Sequence, residues 1–209
     1  YSRILTDFAR GNTDILIGTQ MISKGLDFAH VSVVGIMNAD SMLTFPDFRS
    51  HERAYQLMAQ VAGRAGRRDR QGLVILQTRD TDLPVVSQVR RYDYEGLYAD
   101  QLEEREAFCY PPFCRLLFIY LRGRDERHVA EAANTLRSRL EAPFSGRVMG
   151  PEAPAVARVQ SLYIRKIMLK LDLRQSPSVA RHTLQTILDD MHAAGELSGI
   201  TIHCDVDPL

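Results

Sequence analysis

Two rhythms of apolar and polar positions run along the chain, and they change over near residue 112. Residues 2–10 repeat their apolar positions at helical spacing and close at Gly11-Asn12, which predicts a short amphipathic helix. DILIGT (residues 14–19) and VSVVGIM (31–37) are short, β-branched and apolar at nearly every position. Strands covered on both faces of a parallel sheet have this composition. Helical spacing returns over 49–61, and GLVILQT (72–78) is a third such run. Helix and strand in alternation predict a wound α/β layer, and only three strands predict the back half of a domain.

Residues 83–109 read as one acidic helix, which Pro111-Pro112 must end. The domain boundary is placed there, giving 1–112 and 113–209. Beyond it, 114–122 reads as a strand and 126–140 as an amphipathic helix. GRVMGP is a short strand, 163–173 a long alternating one, 178–194 a helix and 200–206 a last strand. That order, β-α-β-β-α-β, is the split βαβ or ferredoxin-like arrangement.

Composition adds limits. With 45% hydrophobic and 25% charged residues, the chain is ordinary globular material. No apolar run approaches the ~20 residues that span a bilayer. The chain opens on Tyr1 without a signal peptide, so it is expected to start inside a longer protein. Cys109, Cys114 and Cys204 are odd in number and lack CxxC spacing, as expected of reduced thiols in a cytoplasmic protein.

Charge totals balance at 26 and 26, but their placement does not. Residues 49–70 carry six arginines against Glu52 and Asp69. Arg158, Arg165, Lys166, Lys170 and Arg174 face only Asp172 in their stretch, while 93–106 holds six acids against Arg105. Segregated patches fit a protein that meets a polyanion on chosen faces.

The densest cationic stretch is QVAGRAGRR, residues 60–68. Arg64 and Arg67 lie three apart and can face one way, and Gly63 and Gly66 remove side chains between a ligand and the backbone. An arginine fork grips phosphate oxygens and stabilises charge developing on a transferred γ-phosphate. The stretch fits either a solvated helix end or a phosphate site. GTQMISKGLDF, residues 18–28, follows the first apolar run, where open α/β sheets bind ligands. It offers Gly18, Thr19, Gln20, Lys24, Gly25 and Asp27 as backbone donors, a hydroxyl, a cation and a carboxylate.

Together these stretches resemble motifs V and VI in the second RecA-like lobe of superfamily 2 helicases. FPDFRSHERAYQLMAQVAGRAGR, EREAFCYPPF and the closing DVDP narrow the resemblance to the primosomal replication-restart helicases, across essentially the whole chain. Leu26-Asp27 departs from relatives that carry histidine there. The resemblance implies the carboxyl-terminal part of an ATP-dependent 3′-to-5′ helicase that restarts stalled forks and assembles the primosome. Gln60, Arg64 and Arg67 would face ATP across the cleft between lobes, with Arg67 as the finger. Thr19, with Lys24 nearby, would touch the DNA backbone, and Gly25 or Asp27 would sit by the ribose. The phosphate loop, the Mg²⁺-holding acids and a zinc-binding cysteine set would lie upstream, so this chain alone should not hydrolyse ATP.

The second half shows no catalytic constellation. His182, His192 and His203 lack a matching acid cluster and read as structural or solvated, and DVDP reads as a cap on the last strand. Tyr163 among Arg165, Lys166 and Lys170 suits stacking and phosphate contact with nucleic acid, or else forms a merely charged sheet surface. Family resemblance implies forked and single-stranded DNA, the single-strand-binding protein and other primosome proteins as partners. Two other readings stay open. A RecG-like branch-migration motor would keep both helicase motifs but leave YPPF and the βαββαβ tail unexplained. A non-catalytic nucleic-acid or protein-binding module is the other.

Overall fold

The structure is a computed structural model that describes residues 2–19, 28, 30–65 and 72–208. The chain forms two compact units, 1–103 and 104–209.

In the first unit, α1 (Ser2–Ala9) precedes a stretch, 14–19, with no regular structure. The expected strand there does not form among the described residues, and Ile15 and Ile17 are 74% and 87% exposed. A strand exists only through a neighbour's ladder, and 14–19 has none. The other two expected strands are present as β1 (Val33–Ile36) and β2 (Leu73–Leu76), paired parallel with Val33 opposite Leu73. One side of this ribbon, at Ile36 and Leu76, packs on a cluster of Leu43, Tyr55, Met58, Val85, Val86 and Leu97. Burial on both faces does not follow, because Val33, Leu73 and Ile75 stay more than half exposed.

A four-residue helix, α2 (Asp40–Leu43), leads through a turn to α3 (Ser50–Ala62). Ala54, Tyr55, Met58 and Ala62 form the buried stripe of α3, at the spacing of one helix face. The single helix expected over 83–109 is two, α4 (Pro84–Arg91) and α5 (Tyr94–Ala107). Tyr92 takes a left-handed φ of 54° and stops the first. Asp93 then starts the second by accepting a hydrogen bond from the Gly96 amide at 2.8 Å. The local signal was that aspartate between two tyrosines, an N-terminal cap hidden inside an otherwise helical pattern.

The second unit follows the expected order. It contains β3 (Cys114–Gly123), α6 (Glu126–Glu141), β4 (Val148–Glu152), a two-residue β5 (Arg158–Val159), β6 (Leu162–Asp172), α7 (Pro177–Ala193) and β7 (Thr201–Val206). The sheet is antiparallel in the order β4-β6-β3-β7, the strand order of a split βαβ fold, with β5 added on β6. Asp125 caps α6 by accepting from the Arg127 and His128 amides. Val129, Ala132, Ala133, Leu136 and Leu140 face the sheet from α6, and Ala180, Leu184 and Met191 come from α7. They enclose Ile119, Leu121, Ile167 and Leu169, all fully buried, in one core.

Two details matter below. The register between β4 and β6 slips between Met149 and Glu152, where one extra residue enters β4. Gly150 sits in this bulge at φ +95°, and a Cβ there would lie 2.8 Å from the Lys166 carbonyl oxygen. The other detail is the opposite face of the sheet, which no helix of this unit covers.

Candidate functional site

The helicase-like residues ride on α3, so its anchoring comes first. Asp47 accepts hydrogen bonds from the Arg49 amide at 2.8 Å and the Arg53 guanidinium at 2.9 Å, closing the turn that starts the helix. Arg49 stacks on Phe48, its guanidinium carbon 4.8 Å from the ring centre. The FPDFR stretch is therefore a lock on the start of α3. Thirteen residues on, Gln60 is exposed on the side of α3 away from the Tyr55–Met58 stripe, and half-buried Arg64 follows just past the helix end. Gly63 ends the helix in ordinary right-handed geometry, and a side chain there would meet only van der Waals contacts with its own helix. Of the residues expected to act together, Gln60 and Arg64 thus lie four residues apart across the end of α3. Thr19 is exposed on the irregular 14–19 stretch. Lys24, Gly25, Asp27 and Arg67 lie outside the described residues.

A second polar group stands at the carboxyl ends of β1 and β2, unmarked by the sequence motifs. Asn38, at φ 54°, donates its amide to the Gln77 side-chain oxygen at 3.2 Å. Asp40 accepts from the Thr78 hydroxyl at 2.8 Å and from the Arg79 amide. The Thr78 hydrogen bond, seconded by the Arg79 amide, holds the Asp40 carboxyl below the usual carboxylate range. These bonds tie the two strand-end loops together. They could have been sought by asking which loops follow parallel strands, but no motif names them.

In the second unit the three candidate cations have different surroundings. Arg165 pairs with Glu126 of α6 at 3.0 Å, on the helix-covered side of the sheet, with a second bond to the Ile164 carbonyl. Lys166 points to the other face, 2.7 Å from Glu152 and 4.9 Å from the centre of the Phe118 ring. Lys170 shares that face but is only 8% exposed. Its ammonium donates to the Phe108 carbonyl at 2.6 Å and lies 3.8 Å from the Tyr110 ring centre, and burial lowers its pKa. A DNA phosphate cannot reach an amine so enclosed, which makes Lys170 a clamp on the 108–113 connector. Beside it the Cys114 thiol donates to the Cys109 carbonyl, and burial, with Cys109 next, pushes the thiol up to about 12. Tyr163 carries Arg158 on its ring at 4.9 Å.

Asp207 accepts from the Leu116 amide and returns its own amide to the Leu116 carbonyl, so DVDP does close β7 onto β3. Among the described residues no three His, Cys, Asp or Glu side chains are grouped as metal ligands. None of the described helices is long and apolar enough to cross a membrane.

Comparison with known proteins divides the chain in the same way. Residues 2–69 match the family described as helicase conserved C-terminal domain, and 106–209 match primosomal protein N C-terminal domain. The replication restart protein PriA of Treponema pallidum is 41% identical over 98% of this chain and 31% of its own length. The PriA proteins of Synechocystis and Bacillus subtilis are 38% and 33% identical over 99% and 100% of the chain, which spans 24% and 26% of their lengths. The chain thus spans about a quarter to a third of the length of these relatives, and it belongs to the PriA family of replication restart proteins.

Proposed function

We propose that the chain is the carboxyl-terminal part of an ATP-dependent 3′-to-5′ DNA helicase that works in the cytoplasm to restart stalled replication forks and assemble the primosome. One observation supports this most. Gln60 is exposed on a locked helix, away from its buried stripe, and Arg64 follows four residues on, inside the segment that matches helicase C-terminal domains. An amide and a guanidinium presented together suit an anion approaching from outside the unit. Arg67 is the finger that would meet the γ-phosphate, and Gly25 or Asp27 the residue by the ribose. Thr19 and Lys24 would contact the DNA backbone.

ATP, when bound, supplies the phosphoryl transfer that drives movement. The described residues offer the cationic half of such a site and no carboxylate cluster for Mg²⁺ or cysteine set for zinc, which we assign to upstream parts of the parent. The second unit is the module that meets forked or single-stranded DNA, the single-strand-binding protein and other primosome proteins. A RecG-like motor is the weaker reading, since it leaves the 106–209 match unexplained.

The test is in the full-length parent. Arg67→Ala should cut DNA-stimulated ATP turnover by ~10³–10⁵-fold while leaving DNA affinity within about twofold. Arg67→Lys should rescue poorly, because an ammonium cannot reproduce the fork. Wild-type turnover in the lysine variant would remove the finger assignment.

A further inference from the structure

The face of the second sheet turned away from α6 and α7, crossed at Lys170 by Phe108 and Tyr110, carries a row of rings that the helicase reading leaves unused. Direct pairing of Tyr120 with Lys166 on one side and His203 on the other puts all three on this face, with Phe118 and Arg122 two residues either way along β3. The Tyr120 and His203 rings lie 6.3 Å apart, stacked at an interplanar angle of 28°, and Phe118 meets Tyr120 edge-on at 6.3 Å. Phe118 and Tyr120 are half-buried and His203 is exposed, so the rings form a continuous surface open at the β7 side.

What covers it can be read from the charges. Lys166 is matched by Glu152, and Asp205 stands opposite Phe118, so that end of the row has no unmatched cation among these three. The other end has one. The Arg122 guanidinium lies 5.9 Å from the Tyr120 ring centre and forms no ion pair with a carboxylate among the described residues. Exposed Arg124 follows it. A partner with flat apolar faces and a chain of anionic oxygens answers both halves of the row.

We propose that this face binds single-stranded DNA, stacking bases on Tyr120 and His203 while Arg122 forks a backbone phosphate. The proposal rests on the reading of the second unit as a nucleic-acid module, and it names where and how the strand sits. Four-stranded sheets stack two or three bases on their open face in this manner, and stacking tolerates any base. It also moves the binding surface away from Lys170 and Arg165, which are engaged elsewhere.

The experiment uses the whole 209-residue chain and fluorescence anisotropy with two labelled probes, a twelve-nucleotide oligothymidylate and an abasic oligomer of equal length. The thymine strand should bind tighter than the abasic one by ~5–150-fold, the worth of one stacked base. Tyr120→Ala should cut that ratio by ~5-fold or more, and Tyr120→Phe, which keeps the ring and guards against a folding defect, should retain it. Arg122→Gln should leave the ratio but lower the log–log salt slope by ~0.7, one single-strand phosphate contact. Ultraviolet cross-linking of a 5-iodouracil strand to the unaltered chain should tag Tyr120 or His203. If both probes bind alike, or adducts appear only in other peptides, the stacking proposal falls and the nucleic-acid reading stands. If the chain binds neither probe, both fall.

Discussion

The two sheets of this molecule are made of the same kinds of residue and end in opposite conditions. In the second unit every apolar residue on the inner side of β3 and β6 meets α6 or α7, and Ile119, Leu121, Ile167 and Leu169 are fully buried. In the first, β1 and β2 are as rich in valine, leucine and isoleucine, yet Leu73 is 55% and Val33 53% exposed. Burial is a property of what lies across from a strand, and the described first unit provides a cover on one side only. The second unit is closed around its core and the first is open on one side.

The comparison is most easily broken at the core. Leu136→Ala should destabilise the second unit by ~2–5 kcal/mol, the range for large-to-small changes at sealed sites. Val33→Ala on the open ribbon should stay within about 0.5 kcal/mol. Urea unfolding followed by circular dichroism compares them, and equal losses would mean that the ribbon face is covered in solution.

A smaller effect sharpens the picture inside the first unit, whose order depends on local locks. Asp47→Ala frees the Arg49 amide and the Arg53 guanidinium, and should cost about 1 kcal/mol, as loss of a helix-start acceptor does. Hydrogen exchange should speed up along α3 and leave β3 and β6 unchanged. Faster exchange in both units would show that they do not unfold separately.

The most gradual effect is a pH dependence of the second unit. Cys114 has a folded pKa pushed up to about 12, above its ordinary value of 9.0. A raised acid pKa contributes stability that is complete below pH 9, where both states hold the proton. It is lost as the unfolded thiol ionises first, on the way up to pH 12. The stability difference between the wild type and Cys114→Ala should therefore shrink above pH 9, by at most ~1.4 kcal/mol per pH unit. A constant gap from pH 8 to 10.5 in chemical denaturation would place that thiol in water.

Legibility from sequence followed the same division. Patterns in 114–206 predicted every long strand and both helices, because each strand's partners lie within about ninety residues and apolar alternation sets the register. Strand 14–19 was expected from composition that implies neighbours which the described residues do not include. The break at Tyr92 was missed because a left-handed tyrosine has no composition signal, unlike the glycine that usually fills that role. At the candidate site, motif spacing set Arg64 and Arg67 to face one way, and the structure describes only Arg64, just past the end of α3. Lys170 was misjudged. Whether a lysine in an alternating strand reaches water depends on what crosses above it, and here Phe108 and Tyr110 do.

The bulge in β4 divides carboxylates between adjacent cations. In a straight β4 of the same length, Glu152 would fall opposite Arg165 rather than Lys166, since one step along a ladder changes the face. Arg165 already holds Glu126, so one guanidinium would carry two acids and Lys166 none. The extra residue gives each cation one counter-charge on its own side of the sheet. That allocation depends on a backbone conformation only glycine adopts easily, at position 150. An alanine there would unsettle an ion pair two residues away without touching either partner.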